Sequence, residues 1–184
     1  MTVDGAYEFL RAGSPLDVGK FYGIKGGVAL GAGLIYEKVL SPLFSIHERL
    51  FITVRQAVYV LTHECDVDVA NDRPFNDFVC FCPVIPLAAF IAKYQGRWVD
   101  EERLASFLTA VAQRHVSRVV YVPPGPGLLS HGGLVYLNNI DSTHISSFEG
   151  LEPLVALSEY GLREIDTAFK NSLWRPKADR LSFG

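Results

Sequence analysis

Short runs of β-branched and aromatic residues, separated by turn-forming residues, constrain the fold of this chain most strongly. Such side chains pack well on a pleated surface, and runs of this kind are typical of strands. Five runs predict strands: residues 34–40, 56–62, 77–85, 118–122 and 133–137. Pro83 and Pro86 are expected to end the third strand. Residues 43–54 fit a strand or a helix, and residues 141–148 lead into a further strand or turn.

Two other segments have the 3.6-residue apolar period of amphipathic helices. In residues 100–115, which Asp100 can cap, four apolar residues share one face: Leu104, Phe107, Leu108 and Val111. A last helix is expected to begin after Ser158 and to stop before Pro176. At the other end of the chain, residues 6–11 fit a short helical turn. Central strands with one inserted and one C-terminal helix predict a small α+β or barrel architecture.

Length and charge limit the functions that the chain can perform. Its 184 residues favour a single domain over residues 1–184, with residues 1–33 as an N-terminal extension. The net charge is −3, and the pI is about 5.9. Binding of nucleic acid therefore has to rest on a local patch of positive charge, because the charge of the whole molecule does not favour it.

The apolar segments and cysteines indicate a cytoplasmic protein. The longest apolar run, residues 79–92, contains 14 residues and two prolines, whereas a membrane helix needs roughly 20 apolar residues. We therefore expect no membrane association. The N-terminus lacks the basic and apolar regions of a secretory signal, and the cysteine count of three is odd. We accordingly expect a reducing compartment without structural disulfides.

Several segments resemble the MazF/PemK-like toxins, which are small SH3-like β-barrels that cut RNA. Residues 55–62 (RQAVYVLT) resemble a strand of that family. Residues 132–148 and 157–173 resemble its closing pattern, in which a last strand and an Ile-Asp turn lead to a C-terminal helix. The resemblance covers about half of the chain, in pieces. It implies an SH3-like β-barrel that binds or cleaves RNA without a metal, in a toxin–antitoxin or phage-defence context.

The same resemblance suggests catalytic residues. The family uses an arginine at the start of the matching strand to stabilise the charged phosphate, and Arg55 stands at that position. His63, Asp66 and Asp141 are then candidate acid–base partners. The family also places a threonine or serine at the end of the next strand, where residues 81–86 of this chain contain prolines.

The segment Thr-His-Glu-Cys-Asp at residues 62–66 suggests different chemistry, and it resembles a Thr/Ser-(His/Gln)-x-Cys-Asp segment in uncharacterised bacterial proteins. If this segment were a strand paired antiparallel with the third predicted strand, one face would carry four candidate zinc ligands, a Cys3His set: His63, Cys65, Cys80 and Cys82. Two alternatives are open, because free cysteines are commonly buried as small apolar residues, and Cys65 near a histidine could be a reactive thiol.

Three functions therefore follow from the sequence. The first is a MazF-like barrel whose partner is RNA and which needs no cofactor; if it is an enzyme, it is a metal-independent endoribonuclease. The second is a non-catalytic interaction module on the same fold, with a partner protein or a second copy of the chain as a homodimer. The third is a zinc or thiol protein that uses the histidine and three cysteines named above.

Overall fold

A computed structural model describes residues 1–23, 29–45, 47–71, 77–94 and 100–173. The described residues contain six α-helices: Val3–Gly13 (α1), Val18–Phe21 (α2), Glu64–Val67 (α3), Leu87–Tyr94 (α4), Glu101–Ala112 (α5) and Glu159–Leu173 (α6). They also contain seven strands: Leu34–Ser45 (β1), Leu50–Val60 (β2), Phe78–Pro86 (β3), Val119–Val122 (β4), Gly133–Tyr136 (β5), Asp141–His144 (β6) and Val155–Ala156 (β7). The predicted α+β class is confirmed.

All seven strands belong to one antiparallel sheet. The order along the sheet is β4-β5-β3-β2-β1-β7, and β6 lies off this path beside β3. The ambiguous residues 43–54 form the end of the β1–β2 hairpin, in which Leu43 pairs with Ile52 and Ser45 with Leu50. Within the described residues no ladder joins the end strands β4 and β7, so the sheet is open.

Strand β3 pairs with three other strands. One of its edges pairs with β2, while the other pairs with β6 through residues 78–81 and with β5 through residues 84–86. Pro83 lies inside β3, so the prediction that it ends the strand is wrong. It falls between the segments that pair with β6 and β5, where its lack of an N–H removes no ladder bond on that edge. Pro86 does end the strand.

Apolar side chains cover both faces of the sheet in three clusters. On one face Tyr59, Cys82 and Val135 pack with Ile165 of α6. On the opposite face of the first three strands, Val58, Phe81 and Phe148 belong to a second cluster. The third cluster joins α1, α4 and α5 to β4 and β5, and its residues Ala6 and Leu10 come from the N-terminal segment. Residues of α1 are thus part of the packed interior.

The two predicted amphipathic helices are confirmed. The side chain of Asp100 accepts a hydrogen bond from the Arg103 N–H at 2.7 Å at the start of α5, and Ser158 Oγ accepts one from the Gly161 N–H at 3.1 Å at the start of α6. Pro176, the expected stop of α6, lies outside the described residues. None of the described helices combines the length and the apolar character that crossing a membrane requires.

Two helices differ from expectation. The short turn expected near residues 6–11 is the eleven-residue helix α1. Helix α4 follows β3 directly and was not predicted, because residues 79–92 form one apolar run in which a buried strand and a buried helix look alike. Pro86 marks the boundary in that run, since proline fits just before or within the first turn of a helix.

Candidate nucleic-acid interface

The outer hairpin, defined here as residues 39–45 and 50–56, extends beyond the rest of the sheet. Among the described strands, residues 50–56 of β2 pair with β1 alone, whereas residues 57–60 also pair with β3. Large apolar side chains are exposed on this part of the molecule: Leu40, Leu43, Leu50 and Phe51, with Phe51 71% exposed. Several exposed apolar side chains close together commonly mark a surface that binds another molecule.

Positive charge accompanies these apolar side chains. Between residues 38 and 60 the chain carries Lys38, Arg49 and Arg55 against the single carboxylate of Glu48. A β-bulge interrupts β1 between Tyr36 and Val39, and Lys38 within it has a φ of 60°. Arg55 Nη1 donates a hydrogen bond of 3.4 Å to the Lys38 carbonyl. The bulge therefore helps to hold the guanidinium of Arg55 beside β1.

One face of β2 combines an aromatic ring with this guanidinium. Because side chains alternate along a strand, Phe51, Thr53 and Arg55 share a face, and all three are exposed. An exposed aromatic ring can stack with a nucleic-acid base, while a guanidinium nearby can bind a phosphate. The outer hairpin thus has the two kinds of side chain that single-stranded nucleic acids require.

The residues predicted to act with Arg55 lie on other elements. His63 precedes α3 and Asp66 lies within it, beyond the opposite end of β2. Asp141 begins β6 opposite Phe81, and its Oδ1 accepts a hydrogen bond from the Ser142 N–H at 2.8 Å. In the described part of the chain no hydrogen bond or ion pair joins Arg55 to His63 or to Asp141. The joint role of Arg55, His63, Asp66 and Asp141 therefore stays a prediction.

The segment around His63 is a helical turn and not a strand. His63 caps α3, and its Nδ1 accepts a hydrogen bond from the Cys65 N–H at 3.3 Å. The alternation that placed His63 and Cys65 on one strand face therefore does not apply. Because Nδ1 is the acceptor, a neutral His63 carries its proton on Nε2.

The three cysteines lie in different environments. Cys65 and Cys80 are exposed, whereas Cys82 is buried, and burial raises the pKa of its thiol to about 12. Cys82 is therefore an unreactive core side chain. Among the residues that the structure describes, no group of three or more His, Cys, Asp or Glu side chains is placed to hold a metal ion. Zinc binding stays a prediction, which the metal content of the purified protein would test.

The structure also brings together residues of β3 and β6 that the sequence did not connect. Cys80 lies opposite Ser142 and Phe78 lies opposite His144 in the β3–β6 ladder, so all four share a face. His144 Nδ1 accepts a hydrogen bond from the Ser146 N–H at 3.2 Å. The Nδ1 atom of His144 is therefore used by the helical turn that this residue begins.

A repeated sequence pattern could have revealed this second histidine. Thr62-His63-Glu64-Cys65 and Thr143-His144-Ile145-Ser146 share the pattern Thr-His-x-Cys/Ser. In both copies the histidine caps a helical turn with similar backbone angles, φ −66° and ψ 146° for His63 and φ −63° and ψ 142° for His144. The local role of the pattern is therefore to begin a turn after a strand.

The scan of this chain against models of known protein families gives no match, and the search among curated proteins gives no significant match.

Proposed function

We propose that this protein is a MazF/PemK-like barrel that binds RNA through its outer hairpin. The observation that supports this most is the exposed ring of Phe51 on the same face of β2 as the exposed guanidinium of Arg55. Bases of single-stranded RNA would stack on Phe51, and Arg55 with Lys38 and Arg49 would bind the phosphates. This local positive patch makes RNA binding compatible with the acidic pI of 5.9.

The barrel proposal is supported by the curvature of the sheet. Thr143 Oγ1, in β6, donates a hydrogen bond of 2.9 Å to the Leu40 carbonyl in β1. Strand β6 thus contacts β1 as well as pairing with β3. Strands β1, β2 and β3 contribute Val39, Val58 and Phe81 to one apolar cluster. This is the arrangement expected of a small barrel, with β6 in the place of a closing strand.

Cleavage would need more groups than binding does. RNA cleavage by this route needs a base within hydrogen-bond reach of the 2′-hydroxyl and a cation at the phosphate. Arg55 would supply the cation, and His63, Asp66 and Asp141 are the candidate bases. If cleavage occurs, we expect it to depend on Arg55 and to need no metal.

The test measures binding and cleavage of a single-stranded RNA in excess chelator, with wild type, Arg55→Ala and Arg163→Ala. Arg163 is an exposed arginine on α6 and controls for the change in charge. We expect Arg55→Ala to weaken binding and to reduce the slope of log affinity against log salt by about one, whereas Arg163→Ala leaves both unchanged. Equal effects of the two substitutions would contradict the proposal.

A second function, a protein-interaction module, is favoured by exposed leucines on both faces of the outer hairpin: Leu40 on the face of Phe51, and Leu43 and Leu50 on the other. An apolar interface does not weaken as salt increases, whereas RNA binding does. Sedimentation of the pure protein at increasing concentration would detect a homodimer. A mass that rises with concentration and falls on Leu43→Asp, together with no affinity for RNA, would favour this function over the first.

A further inference from the structure

A cavity of about 310 Å³ opens beside the start of β1, away from the outer hairpin. Its apolar wall includes Leu30, Tyr36, Phe148 and Leu151. The rings of Tyr36 and Phe148 meet edge to face, with centroids 5.1 Å apart. This volume is at the lower end of the range for small-molecule sites, which are mostly apolar with a few polar groups.

Tyr36 provides a buried polar group that has no hydrogen-bond partner among the described residues. The residue is 4% exposed, and its side chain makes no hydrogen bond within the described part of the chain. Buried hydroxyl groups are normally hydrogen-bonded, because burial removes their contacts with water. The hydroxyl of Tyr36 can therefore complete its bonding with a molecule that enters the cavity.

The charge around the cavity is negative. Glu149 and Glu152 line it and are exposed. The described ion pairs do not include either carboxylate. Burial raises the pKa of Tyr36, and the nearby charge of Glu152 raises it further. The carboxylate of Glu152 therefore lies close enough to act on the group that the hydroxyl of Tyr36 would bind.

A second cavity has one lining residue in common with the first. It has a volume of about 340 Å³, shares Leu30 with the first, and is lined by the exposed carboxylates of Glu64 and Asp68. Leu30 thus contributes to both walls. Two adjoining cavities with apolar walls and carboxylates suit an elongated apolar molecule that carries positive charges.

We propose that the cavity beside Tyr36 binds an ammonium or guanidinium group on an aliphatic chain. The aliphatic chain would pack on Phe148 and Leu151, and the cation would donate hydrogen bonds to the Tyr36 hydroxyl and to the carboxylates of Glu149 and Glu152. A second cation further along the ligand would reach Glu64 and Asp68. A free polyamine and a lysine side chain of another protein share this chemistry.

Other ligand classes fit less well. An anion would be repelled by both carboxylates, and a neutral apolar molecule would leave the Tyr36 hydroxyl without a partner. A bare metal ion needs several ligands at short distance, and no such group exists among the described residues. The same negative charge would repel RNA, so the two proposed sites do not compete for one ligand.

The experiment titrates the full chain calorimetrically at constant ionic strength with spermidine, with a capped lysine-containing hexapeptide and with neutral 1,8-octanediol. The variants are Tyr36→Phe and Glu152→Gln, with Glu48→Gln as the matched control at the opposite end of the β1–β2 hairpin. We expect Glu152→Gln to weaken binding of the cationic probe about tenfold, since a hydrogen bond to a charged group is lost. Tyr36→Phe should also weaken it, and Glu48→Gln should leave it unchanged.

The outcomes separate the two sources of the cation and can overturn the proposal. Tighter binding of spermidine would identify a free polyamine, and tighter binding of the peptide would identify a protein side chain. Absence of binding by both cations would contradict the proposal, as would equal affinity for octanediol or equal weakening by Glu152→Gln and Glu48→Gln. Glu152→Gln changes only an exposed side chain, so the test does not depend on whether Tyr36→Phe folds.

Discussion

The two halves of β2 have similar composition but different surroundings. Both are rich in β-branched and aromatic residues, yet residues 57–60 are buried and residues 50–56 are exposed or half-buried. The inner half pairs with β1 and β3 and packs on both faces of the sheet, whereas the outer half pairs with β1 alone. Burial is therefore decided by neighbouring strands, and a strand pattern alone does not separate core from binding surface.

The largest expected difference between the halves is in stability. Tyr59 is 1% exposed, so Tyr59→Ala should lower the free energy of unfolding by about 3–5 kcal/mol. Phe51→Ala in the outer half should lower it by less than about 1 kcal/mol and should weaken RNA binding. Urea denaturation and RNA titration of both variants check this. A similar loss of stability in the two variants would show that the outer hairpin is packed as the inner half is.

The contrast continues on β3, where Cys82 pairs with Tyr59 and is buried, while Cys80, nearer the start of the strand, is exposed. Since the pKa of Cys82 is raised to about 12, its thiol stays protonated at mildly alkaline pH, and only unfolding exposes it. We expect iodoacetamide at about pH 8 to modify Cys80 at least about 100-fold faster than Cys82.

Mass spectrometry of the digested protein measures the two rates, and labelling in urea serves as the control. The difference should disappear in urea, because the unfolded chain exposes both thiols. Comparable rates in the native protein would mean that the inner part of the sheet opens readily.

The smallest expected effect lies at the boundary between the halves. Gln56 Nε2 donates a hydrogen bond of 2.7 Å to the hydroxyl of Ser41, which is buried. Ser41→Ala should lower the free energy of unfolding by about 1 kcal/mol, because it removes this bond. A double-mutant cycle with Gln56→Ala isolates the pair. If the effects of Ser41→Ala and Gln56→Ala on the free energy of unfolding were strictly additive, the hydrogen bond between the two side chains would contribute nothing to the register of the outer half.

The sequence predicted elements that depend on local patterns and missed those that depend on distant contacts. The strands and α5 were visible as periodic runs with capping residues, so the α+β class could be predicted. The turn that begins at His63 could not be predicted, because the five residues 62–66 fit a strand as well as a capped helical turn. The face that joins Cys80 to Ser142 and His144 depends on pairing between segments about 60 residues apart, which no local pattern records.

The candidate site was predicted in part. Arg55 was singled out through a family resemblance, and its exposed position on the hairpin fits the phosphate-binding role proposed for it. Phe51 was overlooked, because apolar residues in a strand are ordinarily read as core. Its exposure follows from the end of β3 pairing at Ala57, which is a property of the whole sheet.

The edge of β3 that pairs with both β5 and β6 has a consequence for synthesis of the protein on the ribosome. Residues 78–86 emerge well before β5 and β6, so one edge of an apolar strand stays uncovered while about 50 further residues are made. Open edges of this kind promote aggregation of nascent chains, and proline is one of the residues that block it. Pro83 stands in the middle of that edge, where it cannot donate to an intruding strand. Pro83 is therefore tolerated in the finished sheet, and before β5 and β6 are made it should also reduce aggregation through this edge.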